Sequence, residues 1–389
     1  MYYSTVKLSP FYHQMSFDEL LFGKDTQSYV MNSNESNTRT YCLDDLGSDI
    51  TRKYDVYTFL NKLSRLTQEF VDVYEKDDFT EYYDTFYIPK RTHGMRRIDA
   101  PTGRLREAQV KLRQIISDAM EVDSYGNRFG ATYHTAAHAY IKRRSPKTCL
   151  ERHKSNKSRW FCKFDFSNFF GSTTPDFLVS QLRKIIPLCY VAEDSLKQYT
   201  KICFLNGGLP QGTPISPLLT NIMMIPVDYA LSNALRDFGN QKFVYTRYAD
   251  DIQVSSEYDF DFRKIEELIN HVLSENDAPF RINREKTRYG SNAGANWNLG
   301  MMYNKDCEIT VGYRKKRMLK AMLTNYIQDK KNGTNWDLGE VQALNGQLSH
   351  LKSIEKDGIS EIVSKLSQKF GADIEYHIRE DLRRRPTSI

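Results

Sequence analysis

The stretch from Phe243 to Ser256 (F-V-Y-T-R-Y-A-D-D-I-Q-V-S-S) constrains this chain most, because it places adjacent carboxylates between two strand-forming runs. β-Branched and aromatic residues fill Phe243–Tyr248 and Ile252–Val254, and an acidic break between such runs predicts a tight β-hairpin. Asp250 and Asp251 at its tip repel each other and lose hydration, which lowers stability unless a cation neutralises them. Oxygen-only ligands suit Mg²⁺, whose coordination shell is often completed by substrate phosphates. A solvated acidic turn is the alternative interpretation.

A further carboxylate follows a strand-like run earlier in the chain. The run Trp160–Phe164 has the apolar pattern of a buried strand, and Asp165 falls at its end. An aspartate among aromatic residues is costly to bury unless it is paired with a charge or bound to a metal. It could instead cap a helix that begins near Ser167. The metal interpretation requires Asp165 to lie beside the Asp250–Asp251 tip in the folded chain.

A basic hairpin is predicted upstream of these carboxylates. Phe86–Lys90 and Met95–Ile98 resemble strands on either side of a turn at His93-Gly94. This hairpin would bring Lys90 and Arg96 near each other. Lysine supplies a point charge and arginine a forked set of donors, which together suit a triphosphate. A solvated basic hairpin without a ligand is the alternative.

The segment Asn206–Asn221 (N-G-G-L-P-Q-G-T-P-I-S-P-L-L-T-N) combines a shaped loop with a helix start. Glycine and proline within Gly207–Gly212 force a turn, and Ser216-Pro217 opens an apolar helix, Leu218–Ile225. Backbone amides at a loop and helix start of this kind can face a nucleotide. A tight loop without a ligand is the alternative.

Positive charge recurs through the middle of the chain. The sequence carries a net charge of +6 and has a pI near 8.8, which is compatible with a polyanionic partner. A helix predicted over Pro101–Met120 has one apolar face and cations elsewhere, and Lys142–Arg144 adds a second basic cluster. Successive clusters of this kind predict a groove that follows a nucleic-acid backbone.

Length and residue usage narrow the class of protein. A chain of 389 residues allows two or three subdomains. The 6 cysteines are scattered without a metal-binding spacing, which predicts reduced thiols in a cytoplasmic protein. We find no apolar run of the length that a signal sequence or a membrane-spanning helix needs, so we expect neither secretion nor a membrane partner.

The order of these motifs closely resembles that of the bacterial reverse transcriptases, the group that includes retron, group II intron and phage-defence enzymes. The motifs are D-F-S-N-F-F from Asp165, L-P-Q-G-T-P-I-S-P from Leu209 and Y-A-D-D from Tyr248, preceded by I-P-K…G-M-R-R-I-D-A-P from Ile88. The resemblance covers roughly residues 86–326. It departs at Asn298-Leu299-Gly300, where retron enzymes usually carry V-T-G.

The resemblance implies an α+β fold, a right-hand polymerase with fingers, a ferredoxin-like palm and a helical thumb. We expect an N-terminal helical extension over residues 1–85 and fingers over 86–159. The palm, with residual finger segments, would span 160–303, and the thumb with C-terminal helices 304–389. This leaves too little chain after the thumb for an RNase H, integrase or endonuclease module.

The resemblance also implies roles for individual residues in nucleotidyl transfer. Two Mg²⁺ ions, which Mn²⁺ can replace, would be bound by carboxylates and one backbone carbonyl, those of Asp165, Asp250, Asp251 and Phe166. Binding of the incoming dNTP would fall to a second set of residues: Lys90, Arg96, Phe170, Gln211 and Gly212. Within that set the Phe170 ring would exclude a ribose 2′-hydroxyl, and Lys90 and Arg96 would contact the phosphates.

Further residues are assigned to the primer, the template and the leaving group by the same resemblance. Tyr248 would lie by the primer end, and Gly300 falls in a primer-grip turn. Lys286 matches a lysine near the leaving pyrophosphate, where a general-acid role and a plain surface lysine are both open. The predicted helix Tyr313–Tyr326 would lie along the template–primer duplex and contact it through three cations: Arg314, Lys315 and Lys316.

The resulting prediction is an RNA-directed DNA polymerase that copies a partner non-coding RNA into DNA. The compact chain and the N-L-G departure favour an antiphage-defence enzyme over a retron enzyme that makes a branched RNA–DNA hybrid. An RNA-synthesising polymerase is disfavoured by Phe170 and Y-A-D-D, and an idle RNA-binding scaffold by the intact carboxylates. Homo-oligomerisation, an accessory defence protein, the template, the product and the priming group stay open, and priming could use a nucleic-acid or protein hydroxyl.

Overall fold

The computed structural model describes most of the chain from Val56 onward. The described residues are 56–90, 94–120, 133–292, 297, 300–304 and 306–383. Most of the expected N-terminal extension lies outside them, including the polar run Met31–Thr40 that predicts a loop. Leu299 of the primer-grip turn and Arg384–Arg385 of the basic run Arg383–Arg385 also lie outside them. The domain boundaries proposed above stay predictions.

Helices dominate the described chain, and we number them in chain order. They are α1 (Val56–Glu69), α2 (Val71–Tyr74), α3 (Gly103–Met120), α4 (Pro146–Ser155), α5 (Phe169–Ser172), α6 (Pro175–Leu182), α7 (Glu193–Thr200), α8 (Ser216–Met223), α9 (Ile225–Arg236), α10 (Phe262–Glu275), α11 (Tyr313–Lys331), α12 (Leu338–Ile354), α13 (Lys356–Phe370) and α14 (Ile374–Arg383). Short 3₁₀ turns cover Thr80–Tyr82, Leu188–Tyr190, Lys201–Cys203 and Arg284–Lys286. None of the helices that the structure describes is long and apolar enough to cross a bilayer.

The strands form one larger sheet and two small ribbons. They are β1 (Tyr83–Pro89), β2 (Met95–Pro101), β3 (Trp160–Asp165), β4 (Phe243–Tyr248), β5 (Asp251–Ser256), β6 (Arg288–Ser291), β7 (Met302–Tyr303) and β8 (Ile309–Thr310). The sheet has 4 strands in the order β4-β5-β3-β6, and every neighbouring pair is antiparallel. With α5–α9 between β3 and β4, and α10 between β5 and β6, this is the β-α-β-β-α-β connectivity of a ferredoxin-like palm. The fold class expected from the sequence is confirmed.

Apolar residues at helical spacing over Thr58–Tyr74 predict one packed helix, which is interrupted in the structure. The chain leaves helical geometry at Phe70 (φ −114°, ψ 36°), which separates α1 from α2. Phe70 is 1% exposed and Arg104 of α3 lies over its ring. Burial of this ring against α3 favours the break over one continuous helix.

The core has two parts. The larger part joins α1 and α3 to the palm strands and to α6–α10, and the smaller part holds the four C-terminal helices, α11–α14, together. The smaller part reaches the palm through Leu150 and Phe161, the latter stacked on Trp297 with ring centroids 5.2 Å apart. The C-terminal helices therefore sit on the palm through a shared apolar contact rather than through a loose linker.

Candidate active site

The hairpin at the edge of the sheet has the tight tip that the sequence predicts. Tyr248 of β4 pairs directly with Asp251 of β5, so only Ala249 and Asp250 form the connection. Ala249 has a φ of +57°, in the left-handed region that a residue with a Cβ adopts at some cost. A two-residue connection of this kind fixes where Asp250 and Asp251 point.

Asp165 lies beside this tip, as the metal interpretation requires. Because β3 pairs with β5 in antiparallel register, Asp165 is directly opposite Asp251. The Phe166 amide donates to the Asp250 carbonyl at 3.2 Å, and the Asn283 amide donates to the Asp165 carbonyl at 2.8 Å. The alternative in which Asp165 caps a helix is wrong, because the residue flanking the start of α5 is Asn168.

Lysines neutralise the two paired aspartates. Lys163 Nζ lies 2.7 Å from Asp251 Oδ2, and Lys286 Nζ lies 2.6 Å from Asp165 Oδ2. A general-acid role and a plain surface lysine both stay open for Lys286, whose side chain is 60% exposed and bonded to Asp165. Within the described residues, no group of at least 3 acidic, histidine or cysteine side chains is arranged to hold a metal.

Burial raises the pKa of both carboxyls at the hairpin tip. For Asp250, desolvation and then the charges of Asp251 and Asp165 raise the pKa to about 6. Desolvation also raises the pKa of Asp251, although Lys163 opposes it. The site therefore holds more negative charge than its surroundings stabilise, and it attracts cations.

The donor set at this point suits a hard divalent cation. Carboxylate oxygens from β3 and the hairpin tip lie on adjacent strands. Lys163 and Lys286 reach the carboxylates through flexible stems, so a divalent ion can displace their ammonium groups. The carboxylates present are oxygen ligands of the kind a divalent cation takes, and such a cation would take over the charge compensation that the lysines now provide.

The raised pKa of Asp250 gives a prediction about metal-free stability. Since the folded state holds this proton more tightly than the unfolded state, the free energy of unfolding falls as pH rises from about 4 to 6. Asp250→Asn is therefore expected to raise that free energy at pH 7.5 by about 1–3 kcal/mol in chelator, and the gain should vanish near pH 4. Chemical denaturation of both proteins at each pH measures this difference in the free energy of unfolding.

The exposed Asp306 offers the matched control, because Asp306→Asn removes one charge away from the sheet. If Asp306→Asn raises the free energy of unfolding as much as Asp250→Asn does, the increase comes from the change in net charge. An Asp250→Asn protein with no gain above pH 6 would contradict the raised pKa.

Phe170 follows β3 in the chain, and its backbone contacts the glycine-rich loop. It lies in α5, immediately after β3, and its ring packs edge-on against buried Phe169 with centroids 5.7 Å apart. The Leu209 amide donates to the Phe170 carbonyl at 3.1 Å. A Cβ on Gly208 would lie 2.3 Å from the Gly171 carbonyl oxygen, so only glycine permits this approach. The loop thus fixes the backbone that carries the half-buried Phe170 ring.

Comparison with known proteins decides the family. Residues 88–325 match the family model described as reverse transcriptase (RNA-dependent DNA polymerase), which is more than half of the chain. The chain belongs to the reverse transcriptase family. Membership implies an RNA-directed DNA polymerase that depends on divalent metal ions, and the resemblance noted in the sequence is confirmed.

The relatives of this reverse transcriptase include retron enzymes. Retron Ec73 reverse transcriptase of Escherichia coli is 25% identical over 82% of this chain and 96% of its own length. Retron Ec83 reverse transcriptase of the same species is 26% identical over 77% of this chain and 90% of its own. Among solved structures, apo telomerase from Candida tropicalis aligns with a TM-score of 0.44 and 13% identity, over 82% of this chain and 66% of that one.

The fingers hairpin of this reverse transcriptase carries the two expected cations on one face. Arg96 lies opposite Ile88 in the hairpin. Lys90 comes two residues after Ile88, and its amide donates a hydrogen bond to the Gly94 carbonyl at 2.9 Å. Side chains two residues apart share a face, so Lys90 and Arg96 are diagonal neighbours. Both are exposed.

The loop with Gln211 and Gly212 docks on this hairpin. The Asp99 amide of β2 donates to the Gln211 carbonyl at 2.7 Å. Gly212 has a φ of +117°, and a Cβ there would lie 2.7 Å from Ile98 Cγ2. The loop therefore joins β2 to α5, which the Leu209 amide contacts, and glycine at position 212 permits a close approach as well as a turn.

Apart from Tyr248, the residues expected to contact the primer and template lie at the start of α11 and in the segment before it. Gly300 has a φ of +88°, and its carbonyl accepts a hydrogen bond from Lys315 Nζ at 2.8 Å. Lys316 pairs with Glu355, whereas Arg314 is exposed at the start of α11. Of the three cations assigned to the duplex, Lys315 and Lys316 therefore make contacts within the protein, and their contact with nucleic acid stays a prediction.

The structure adds Lys163 and Tyr140 to the site. Lys163 alternates with core residues along β3, and only the β3–β5 register reveals that it meets Asp251. Tyr140 ends a segment that bridges Arg247 in parallel at Ala137, and it is 56% exposed. Desolvation and then the charge of Asp250 raise the pKa of the Tyr140 hydroxyl. Neither residue carries a signal in the sequence, because each depends on long-range pairing.

Proposed function

We propose that this reverse transcriptase copies a bound RNA into DNA at the Asp165, Asp250 and Asp251 carboxylates, with two Mg²⁺ ions that Mn²⁺ can replace. The observation that carries this proposal is the register that sets Asp165 opposite Asp251. Two divalent ions at such carboxylates, with the Phe166 carbonyl as a further ligand, would stabilise the attacking 3′-oxygen and the leaving pyrophosphate.

The remaining roles are those that the resemblance to reverse transcriptases implies. Lys286, already bonded to Asp165, would meet the leaving pyrophosphate once a cation releases it. Lys90 and Arg96 on the fingers would bind the phosphates of the incoming dNTP, with Gln211 and Gly212 beside its base and sugar. Tyr248, next to the hairpin tip, would lie by the primer end, and Gly300 and Arg314 would face the duplex.

The template is proposed to be a partner non-coding RNA. This is supported by the similarity to retron reverse transcriptases across most of the chain. That similarity favours a retron-type enzyme, whereas the N-L-G departure favours a defence enzyme of another kind. A role in antiphage defence and a cytoplasmic location stay proposals that rest on the resemblance to the wider bacterial group.

Primer extension on an RNA template tests the proposal directly. We expect elongation with dNTPs and far slower elongation with NTPs, complete loss of product in EDTA, and recovery when Mg²⁺ or Mn²⁺ is added in excess. Equal use of NTPs would indicate an RNA polymerase, and RNA binding without extension in Mg²⁺ would indicate the scaffold alternative.

A further inference from the structure

Arg247 and Asp228 form a fully buried ion pair beneath the catalytic hairpin. Arg247 is in β4, one residue before Tyr248, and Asp228 is in α9; both side chains are 0% exposed. The contact is bidentate, from Arg247 Nε to Asp228 Oδ1 at 2.8 Å and from Nη2 to Oδ2 at 2.7 Å. Tyr245 Oη also donates to Asp228 Oδ1 at 2.7 Å.

Stability alone does not account for this pair. Removing two charges from water costs free energy that their attraction only partly offsets, and apolar residues of similar volume often stabilise a core equally well. The elements that carry the pair, α9 and β4, also contribute apolar residues to the core. The geometry that the pair imposes is therefore the better explanation for its presence.

The remaining donors of Arg247 hold the hairpin tip. Arg247 Nη1 donates to the Ala249 carbonyl at 3.1 Å and lies 3.3 Å from Asn221 Oδ1. Ala249 is the residue with a left-handed backbone, in a conformation that persists only where its surroundings determine it. Its carbonyl immediately precedes Asp250, so this hydrogen bond orients the peptide that leads into the carboxylates.

A neighbouring segment completes the support from the other side. The Arg247 amide donates to the Ala136 carbonyl at 2.7 Å, and the His138 amide donates to the Arg247 carbonyl at 2.9 Å. Asn221 Nδ2 donates to the Ala139 carbonyl at 2.5 Å. Arg247 thus links α8, α9 and residues 136–139 to the hairpin tip through its backbone and its side chain.

We propose that Arg247 is a positioning residue for DNA synthesis. Held by Asp228, its guanidinium fixes the left-handed turn at Ala249 and keeps Asp250 and Asp251 aligned with Asp165. Arg247 touches neither the substrate nor the reacting atoms. The inference rests on the proposed function, in which these carboxylates are the catalytic centre.

Arg247→Lys is the first test. Lysine keeps the charge opposite Asp228 but cannot also reach the Ala249 carbonyl with a forked set of donors. We expect a kcat about 100-fold lower, the cost of a misplacement near 1 Å, with KM for the template–primer and the melting temperature near wild type. Mn²⁺ binding followed by electron paramagnetic resonance should weaken, which a purely structural role would not cause in a folded protein.

A paired apolar replacement separates geometry from charge burial. Arg247→Met combined with Asp228→Leu removes both charges, so we expect a folded protein with the same loss in kcat. The control is Lys330→Met combined with Asp381→Leu in the C-terminal helices, where a largely buried pair lies away from the carboxylates. Its kcat should match wild type.

The outcomes distinguish this inference from the function on which it rests. Wild-type kcat and Mn²⁺ binding in either folded Arg247 variant would overturn the positioning role, provided that Asp250→Ala is inactive. An active Asp250→Ala protein would instead overturn the catalytic centre itself. Should neither variant fold, crystals of the wild-type protein soaked in Mn²⁺ decide: a metal held by Asp250 and Asp251 after Arg247 Nη1 has left the Ala249 carbonyl overturns the proposal, and a metal held with that contact kept supports it.

Discussion

Asp251→Asn is expected to abolish DNA synthesis while the protein keeps its affinity for RNA. Asparagine preserves the size of the side chain but removes the charge opposite Asp165. If this carboxylate holds the cations that stabilise the transition state, its loss removes several kcal/mol of stabilisation. At a factor of ten per 1.4 kcal/mol, kcat should fall at least about 1,000-fold. Single-turnover extension of a primed RNA template measures the change.

The ion pair of Asp251 with Lys163 requires its own control. Asp251→Asn also breaks this contact, whose side chains are 19% and 21% exposed for Lys163 and Asp251. Lys163→Met breaks the same pair but leaves the carboxylate in place. We expect its kcat to stay within about tenfold of wild type, since partly exposed pairs contribute little. A Lys163→Met protein as inactive as Asp251→Asn would attribute the effect to the ion pair.

RNA binding supplies the second control for Asp251→Asn. Cationic residues on the fingers and on α11, such as Arg96 and Arg314, lie on other elements, and affinity for the phosphate backbone depends on such charges. Filter binding at one fixed salt concentration should therefore give similar RNA affinities for the wild-type protein and for Asp251→Asn. Full synthesis by Asp251→Asn would refute the assignment of the site.

Local patterns in the sequence were sufficient for the elements that carry the site. β-Branched and aromatic residues around an acidic break gave the hairpin, and its strands in the structure end at Tyr248 and begin at Asp251, as the pattern predicts to within one residue. The run ending at Asp165 is a strand with that residue at its last position. These predictions succeed because each depends on neighbours within a few positions.

Contacts set by long-range pairing were beyond the sequence pattern. The partner of Asp251 is Lys163, 88 residues away, and the partner of Arg247 is Asp228 on a separate helix. Neither residue differs in type or spacing from an ordinary polar residue on a strand or helix. Helical spacing of apolar residues over Leu344–Phe370 predicts helix but not its division: α12 and α13 meet near Glu355, which accepts hydrogen bonds from Thr310 and Val311 of the neighbouring ribbon.

Phe170→Ala is expected to weaken the preference for deoxynucleotides. The ring is half-buried at the start of a short helix, five residues after Asp165, with its backbone fixed by Leu209. A phenyl ring there would fill the space that a ribose 2′-hydroxyl needs, and truncation to a methyl group would open it. We expect the ratio of kcat/KM for dNTPs to that for NTPs to fall about 100-fold, which corresponds to about 2.7 kcal/mol.

Phe170→Leu is the matched control, since leucine keeps most of the bulk at the same position. Its preference for dNTPs should stay closer to wild type, and its kcat with dNTPs should be similar to that of Phe170→Ala. Thermal melting of both proteins separates loss of packing against Phe169 from loss of selectivity, because the two substitutions remove the same edge-on ring contact. Unchanged discrimination in a folded Phe170→Ala protein would show that another group excludes the ribose hydroxyl. The same loss in both variants would assign the preference to the aromatic ring rather than to its volume.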